Sequence, residues 1–205
     1  MIYVTGVGPG SEAYLTRRAM DVISGADILI GGQRHLDTLA GLSSEKRIID
    51  ADINSLIKWI AERLDRRIVI LASGDPMFFG IGKRISDTFA PEQVQIVPGI
   101  SSVQYLCSRT GMDMNDIYLT SSHNRTPDFD WLLSHERIGM VTDSQIGPKE
   151  IAAEIRQRGQ TRRIIIGENL SCRNERITIL NASDAIGDYE MNVVLIDKQG
   201  SVASR

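Results

Sequence analysis

The sequence predicts an α/β fold in which helices cover a largely parallel sheet. Short apolar runs alternate along the chain with segments of helical periodicity, and three of these runs end in glycine-rich turns. Such alternation is typical of parallel sheets, whose ligands bind beyond the carboxyl ends of the strands. We therefore expect the three turns, "GVGPG", "SGDPMFFGIG" and "PGISS", to face one ligand-binding crevice.

Two patterns define the elements of the first half. Apolar runs predict strands, and apolar residues at a spacing of three and four predict helices. Leu15, Ala19, Val22 and Ile23 share one helical face in this way. In chain order the predictions are a strand at Ile2–Val7, a helix at Ala13–Ser24, strands at Ile28–Ile30 and Ile68–Ala72 around a helix at Ile53–Leu64, a strand at Val94–Val97 and a helix at Ser101–Arg109.

The pattern loosens in the polar, turn-rich stretch from 113 to 130, which predicts a domain junction. We place the N-terminal domain at 1–116 and the C-terminal domain at 117–205. Fewer helices follow than in the first half, which favours a mixed sheet. The predicted elements are strands at Arg137–Thr142, Arg163–Gly167, Arg176–Leu180 and Asn192–Asp197, and a helix at Lys149–Arg158.

Composition excludes several functional classes. The 205 residues carry a net charge of −3, whereas non-specific nucleic-acid binding needs a basic surface. No apolar run is long enough to cross a membrane, and the N-terminus does not resemble a targeting segment. Two cysteines outside a C-x-x-C pair suit a reducing cytoplasm. The three histidines lack metal-ligand spacing, so we expect no metal site.

The first and third turns carry weak signals by themselves. "GVGPG" matches neither the P-loop nor the dinucleotide-binding pattern, and Pro9 removes an amide that a phosphate-binding loop would use. A plain strand-to-helix turn explains it equally well. In the third turn, Ser101 and Ser102 open a helix, where they are either caps or donors to a ligand.

The second turn is more specific. Gly74 allows a ligand to approach the backbone, and Asp75 offers a carboxylate to ribose hydroxyls or to a cation. Phe78 or Phe79 would pack against a ring of the ligand, with Phe78 the expected neighbour and Phe79 expected in the core. The alternative is that Asp75 caps the following helix and both phenylalanines are core residues.

Two histidines stand beside arginines in predicted loops. His35 follows Arg34, and His123 lies close to Arg125. Such pairs would bind an acidic substrate or perform acid–base chemistry. The alternative is that they are solvated loop residues, and His135 is expected to be structural.

Together, the motifs resemble the tetrapyrrole (corrin/porphyrin) methylases, which are S-adenosylmethionine-dependent enzymes. Their order and spacing match over essentially the whole chain up to its polar tail. "GGQRHL", "SSHNR" and "GENLSCRNERI" resemble the branch that methylates C5 of cobalt-precorrins in cobalamin biosynthesis. The chain departs from that branch at Gln33 and Asn124, where lysine and glycine are usual.

The resemblance implies two α/β domains with the cofactor in the cleft between them, and a homodimer. Thr142, which ends the first predicted strand of the second half, would close the cofactor site from the C-terminal side. The cofactor residues that the resemblance implies are Pro9, Gly74, Asp75, Phe78, Ile100, Ser101, Ser102, Thr142, Asn169 and Leu170.

The implied reaction transfers a methyl group from S-adenosylmethionine to C5 of a (cobalt-)precorrin-6 macrocycle. It gives (cobalt-)precorrin-7 and S-adenosylhomocysteine, and any cobalt arrives within the substrate. Arg34, His35 and Arg125 would bind the substrate, with the arginines pairing with its carboxylates. His123 would assist proton loss after methyl transfer. A chain of this length implies a separate enzyme for C15 methylation and decarboxylation.

Other functions fit the same residues. The acceptor could be another tetrapyrrole position, diphthine or ribosomal RNA, although the acidic charge disfavours RNA. A non-catalytic nucleotide-binding module would also use clustered glycine turns. Pro9 in the first turn lacks the amide that a phosphate-binding loop would use, which disfavours this module.

Overall fold

The computed structural model describes residues 1–123, 125–184 and 187–198. The chain divides into two compact units, Met1–Ser101 and Ser102–Arg205. Each unit has its own five-stranded sheet with helices packed on it. The prediction of an α/β fold in two parts is confirmed.

The first unit contains a wholly parallel sheet in the order β3-β2-β4-β1-β5. Apolar side chains of the central strands project alternately to the two faces of the sheet, and each face forms its own buried cluster. The elements are β1 Ile2–Gly6, α1 Arg17–Ser24, β2 Ile28–Gly31, α2 Gln33–Thr38, β3 Glu45–Ile48, α3 Ile53–Ala61, β4 Ile68–Ala72, α4 Gly82–Ser86 and β5 Val94–Val97, with 3-10 turns at Glu12–Tyr14 and Pro91–Gln93.

The predicted helix at Ala13–Ser24 is divided in the structure. Thr16 has an extended backbone, and its side chain accepts a hydrogen bond from the Ala19 amide at 3.1 Å. It therefore caps α1, and the residues before it form only a 3-10 turn. Helix α3 begins as predicted, after its cap at Asp52, but ends at Ala61.

The second unit contains a mixed sheet in the order β6-β7-β10-β8-β9. Strands β6 and β7 are parallel, and the other neighbours are antiparallel, which confirms the predicted mixed sheet. The elements are α5 Ser102–Thr110, β6 Ile117–Ser121, α6 Phe129–Leu132, β7 Arg137–Val141, α7 Pro148–Gln157, β8 Arg162–Glu168, β9 Arg176–Asn181 and β10 Asn192–Lys198.

Helix α5 packs on the second sheet, against β7 and β10. Gly139 makes this possible, because a Cβ atom at that position would lie 2.6 Å from the side chain of Val103. The boundary between the two compact units therefore lies between residues 101 and 102. The predicted boundary, between residues 116 and 117, lies further along the chain. Strand β6 falls in the stretch that we had expected to be a junction.

No helix in the described ranges is long and apolar enough to span a membrane.

Candidate functional site

The three glycine turns meet at the carboxyl edge of the first sheet. Strands β1, β4 and β5 are parallel neighbours, so the turns that follow them leave the same edge. The Gly8 amide donates to the Gly74 carbonyl at 3.3 Å, and the Gly74 amide donates to the Gly8 carbonyl at 2.8 Å. This short bridge joins the first turn to the second.

The backbones in this cluster approach too closely for side chains. A Cβ atom at Gly6 would lie 2.5 Å from the Gly74 carbonyl oxygen and 2.6 Å from the Gly99 amide nitrogen. A Cβ atom at Gly99 would lie 2.2 Å from that same carbonyl oxygen. Gly74 itself has a φ of 65°, which side chains disfavour. The glycines are therefore required by the packing of the turns on one another.

Asp75 joins the second turn to the third. One carboxylate oxygen accepts from the Gly99 amide at 3.1 Å, and the other accepts from the Met77 amide at 2.8 Å. Helix α4 begins only at Gly82, so the alternative that Asp75 caps the next helix is wrong. In this structure the Asp75 carboxylate holds the backbone of the two turns together. A direct hydrogen bond from a ligand hydroxyl to Asp75 stays a prediction.

The two phenylalanines of the second turn pack edge to face, with ring centroids 4.9 Å apart. Phe79 is 42% exposed and has a φ of 54°, so the expectation that it is a core residue is wrong. Phe78 is partly buried. Both rings are thus placed on the surface of the turn.

Pro9, Ile100 and Ser101 extend the glycine cluster. Pro9 and Ser101 are buried, and Ile100 is partly buried. The helix predicted to begin at Ser101 begins one residue later, at Ser102 of α5. None of these cofactor candidates, nor Gly74, Asp75 or Phe78, carries a positive charge, which suits a cationic sulfonium ligand better than a phosphate.

Arg34 and His35 lie in helix α2, which corrects the expectation that they are loop residues. The Nη2 atom of Arg34 lies 3.4 Å from Nε2 of His35, and Oγ of Ser73 lies 3.2 Å from the same nitrogen. Ser73 precedes the glycine of the second turn. The histidine is therefore held beside that turn.

Thr142 directly follows β7, which is the second strand of its unit because β6 precedes it. The expectation that Thr142 ends the first strand is wrong on both counts. Its hydroxyl lies 2.7 Å from the Asn192 carbonyl oxygen and 2.8 Å from the Asn192 side-chain oxygen. Nδ2 of Asn192 in turn donates to the Glu190 carbonyl at 2.7 Å.

Asn169 belongs to the same network. Its amide donates to the Met191 carbonyl at 2.9 Å, and its side chain donates to the Glu190 carboxylate. Residues 190–192 therefore link the two segments of this unit that the sequence associates with the cofactor. Sequence reasoning missed these residues because none belongs to a recognisable motif.

Leu170 is buried, and a Cβ atom at Gly167 would lie 2.8 Å from its side chain and 2.9 Å from that of Leu106. Asn169 and Ser171, on either side, have φ values of 46° and 62°. The loop is thus strained on both sides of a buried anchor. Strain of this kind persists where the surroundings fix the conformation.

Two carboxylates hold the 169–171 loop in place, and neither role was predicted from the sequence. Glu175 accepts hydrogen bonds from the Ser171 amide at 2.6 Å, the Tyr105 hydroxyl at 2.8 Å and Nε of Arg109 at 2.9 Å. Burial raises the pKa of Glu175, but these hydrogen bonds outweigh it and the pKa lies below its ordinary value.

Glu168, at the end of β8, is the second of these carboxylates and is only 1% exposed. It accepts from Nε and Nη2 of Arg176 at 2.6 and 2.7 Å and from the Glu190 amide at 3.0 Å. Burial raises its pKa, but the Arg176 and Glu190 hydrogen bonds prevail and lower the pKa overall.

The change Glu168→Gln is expected to lower the free energy of unfolding at pH 7 by about 2 kcal/mol, because a charged hydrogen-bond network is lost. A lowered native pKa stabilises the fold above the ordinary carboxyl pKa and loses that effect as the pH falls through the native pKa. The difference between wild type and variant should therefore shrink on acidification from pH 7 to pH 3 in urea denaturation.

The matched control for Glu168 is Glu62→Gln, because Glu62 forms an exposed pair with Arg63 and is expected to contribute little. A constant difference between wild type and Glu168→Gln at every pH would contradict the network as the source of the effect.

Arg125 and His123 lie just beyond β6. Nε of Arg125 donates to the Ser121 carbonyl at 2.7 Å, and Nη2 donates to the Thr120 hydroxyl at 2.8 Å. His123 is exposed, and its amide donates to the Ser121 hydroxyl at 3.0 Å. Asn124, one of the two departures noted in the sequence, lies outside the described residues.

His135 has the structural role that we expected. Its ring stacks on Tyr118 with centroids 4.1 Å apart, and Nδ1 lies 3.1 Å from the Trp131 carbonyl oxygen. Across the part of the chain that the structure describes, no group of three His, Cys, Asp or Glu residues is placed to hold a metal ion.

A family model described as the tetrapyrrole (corrin/porphyrin) methylases matches residues 1–186 of this sequence. The chain belongs to this family. The match spans all three glycine turns as well as Thr142, Asn169 and Leu170. This tetrapyrrole methylase is 50% identical over 197 residues to a protein of Salmonella typhimurium named cobalt-precorrin-7 C(5)-methyltransferase, a match covering 96% of this chain and 98% of that protein.

Solved structures share the fold of this tetrapyrrole methylase. A cobalamin-biosynthesis precorrin-6Y methylase from Archaeoglobus fulgidus matches with a TM-score of 0.77 at 24% identity, covering 97% of this chain and 98% of that one. A uroporphyrin-III C-methyl transferase from Thermus thermophilus, complexed with S-adenosylhomocysteine, matches with a TM-score of 0.80 at 18% identity, covering 96% of each chain.

Proposed function

We propose that this tetrapyrrole methylase transfers a methyl group from S-adenosylmethionine to C5 of a cobalt-precorrin-6 macrocycle and forms cobalt-precorrin-7. The observation that carries the proposal is the 50% identity with the Salmonella typhimurium protein over nearly the full length of both chains. The reaction consumes the methyl of a sulfonium and leaves S-adenosylhomocysteine.

The residues of the first unit fit such a cofactor. The glycine cluster lets the backbones of three turns come into direct contact, so backbone atoms lie at the edge of the sheet. The partly exposed ring of Phe78 offers an apolar surface for adenine. Pro9, Gly74, Asp75, Ile100 and Ser101 complete the cofactor residues that we assign to the first unit, and Ser102, the first residue of the second unit, follows them.

In the second unit we assign Thr142, Asn169 and Leu170 to the cofactor. The hydrogen bonds of Glu168, Glu175 and the 190–192 segment hold these residues in place. The Asn169 and Ser171 amides already donate to Met191 and Glu175, so the backbone of Leu170, between them, would recognise the nucleoside by hydrogen bonding. Arg34, His35 and Arg125 are proposed to bind the substrate, with the arginines directed to its carboxylates.

The remaining proposals concern the setting of the reaction. The Salmonella typhimurium relative is named for C5 alone and is covered to 98% of its length, which supports a separate enzyme for C15 methylation and decarboxylation. We further propose a cytoplasmic homodimer that binds neither nucleic acid nor membrane.

The deciding experiment supplies S-adenosylmethionine with a ¹³C-labelled methyl group together with cobalt-precorrin-6. One labelled methyl is expected at C5 by NMR of the isolated product. A label at any other carbon would refute the assignment of position. Binding of S-adenosylmethionine without comparable binding of ATP or NAD would exclude a general nucleotide-binding module.

A further inference from the structure

A polar contact beside the second turn extends the proposed function and rests on it. Oγ of Ser73 lies 3.2 Å from Nε2 of His35, and Nη2 of Arg34 lies 3.4 Å from the same nitrogen. A guanidinium group can only donate hydrogen bonds. A hydrogen bond along this contact makes Nε2 of His35 the acceptor and leaves the proton of the neutral ring on Nδ1.

The other side of the ring is enclosed. Nδ1 of His35 is buried, and no side chain or backbone group of the described residues accepts a hydrogen bond from it. A cavity of about 20 Å³ adjoins His35 and has room for one water molecule, the usual partner of a buried donor. Its lining also includes Glu12, Thr38 and Gly10.

The charges around the ring keep it neutral. Burial, and then the positive charge of Arg34, lower the pKa of His35 below its ordinary value. Glu12 lines the same cavity, and Asp37 lies in the same helix, where its carboxylate accepts from the Gln33 side chain at 2.6 Å. A neutral ring with a lone pair on Nε2 is the form that accepts a proton.

We propose that Ser73 and His35 form the proton-accepting pair of the methylation. The bond between sulfur and the methyl carbon breaks with its electrons left on sulfur, and π electrons of the macrocycle form the new bond to C5. The electrons of the C5–H bond then return to the macrocycle. The proton passes to Oγ of Ser73 as the Ser73 hydroxyl proton passes to Nε2 of His35.

A weak base is sufficient for this step. Once methylated, C5 carries both hydrogen and methyl on a cationic macrocycle, and loss of the proton restores conjugation. The proton is therefore strongly acidic, and what the protein must supply is an acceptor at the correct position. The pair lies beside Gly74 at the edge where the three turns meet, whereas His123 lies on an exposed turn of the other unit.

The test compares His35→Gln and Ser73→Ala with wild type on substrate carrying hydrogen or deuterium at C5. We expect turnover of His35→Gln to fall by roughly a hundredfold, the usual scale for loss of acid–base assistance. Deuterium at C5 should slow both variants while leaving wild type nearly unaffected, because proton loss becomes rate-limiting. Thr88→Ala, which removes an exposed hydroxyl elsewhere in the first unit, should match wild type.

A second measurement does not depend on turnover. ¹⁵N NMR of the histidine rings at pH 7 should show His35 as the neutral tautomer protonated on Nδ1. Detection of the charged ring or of the tautomer protonated on Nε2 would refute the pair. Ser73→Ala removes only the hydroxyl of an exposed residue. Its turnover rate and isotope effect therefore test the pair even if His35→Gln does not fold.

The outcomes separate the pair from the proposed function. If wild type methylates C5 and the His35 and Ser73 variants keep its rate without an isotope effect, only the pair is refuted. The same holds if His123→Gln, rather than His35→Gln, produces the isotope effect. If wild type does not methylate C5, the proposed function fails, and the pair fails with it.

Discussion

Replacing Gly99 with alanine is expected to remove measurable binding of S-adenosylmethionine and to lower the free energy of unfolding by about 3 kcal/mol. The added Cβ atom would lie 2.2 Å from the Gly74 carbonyl oxygen, and backbone atoms at that distance must separate. Separation moves the third turn away from the second and disturbs the residues of both that we propose bind the cofactor. Urea denaturation and isothermal titration calorimetry measure the two effects.

Gly41→Ala is the matched control for this prediction. Apart from Gly41 and its two chain neighbours, nothing lies within 4 Å of a Cβ atom built at Gly41, so the same chemical change meets open space there. We expect wild-type cofactor affinity and unchanged or slightly increased stability in the control. Cofactor affinity within twofold of wild type in Gly99→Ala would show that the cluster does not form the binding site.

The second large effect is expected from Asp75→Ala, which should weaken S-adenosylmethionine binding by roughly tenfold to a hundredfold. The change leaves the Gly99 and Met77 amides without the carboxylate that now accepts from both. Hydrogen bonds to charged groups contribute about 1.5–3 kcal/mol each, and each 1.4 kcal/mol of binding free energy is a factor of about ten in affinity.

Asp75→Asn separates positioning from charge. The amide has one oxygen, so it can satisfy one of the two backbone amides but not both. An affinity between those of wild type and Asp75→Ala is therefore expected in calorimetric titrations. Asp87→Ala, which removes an exposed partner of Lys83, is the control and should bind normally. Unchanged affinity in Asp75→Ala would exclude Asp75 from the site.

Elements with buried apolar residues were predictable from the sequence. All five residues of β4 and all four residues of β2 are buried. Helix α2 was missed because only Leu36 of its six residues is buried and no side chain caps its start. Strand β3 was missed because it is a mostly exposed edge strand with the charged sequence "EKRI", a composition that natural edge strands favour.

The meeting of the three turns was also predictable, because parallel strands place their carboxyl ends at one edge. The hydrogen bonds that join the turns to one another were not predictable. The bond from the Gly99 amide to Asp75 joins residues 24 positions apart, and no local pattern encodes such a pairing. The same limitation explains Glu175, whose partners Tyr105 and Arg109 lie in a distant helix.

The glycine cluster also has a consequence for the order in which the protein is made. Gly6, Gly74 and Gly99 are far apart in the chain, and their contacts form only when β1, β4 and β5 are all paired. Pairing of distant segments is a slow step in folding. A nascent chain therefore cannot form the proposed cofactor site until β5 and residue 99 have left the ribosome, and amide exchange in all three turns should slow together once they have.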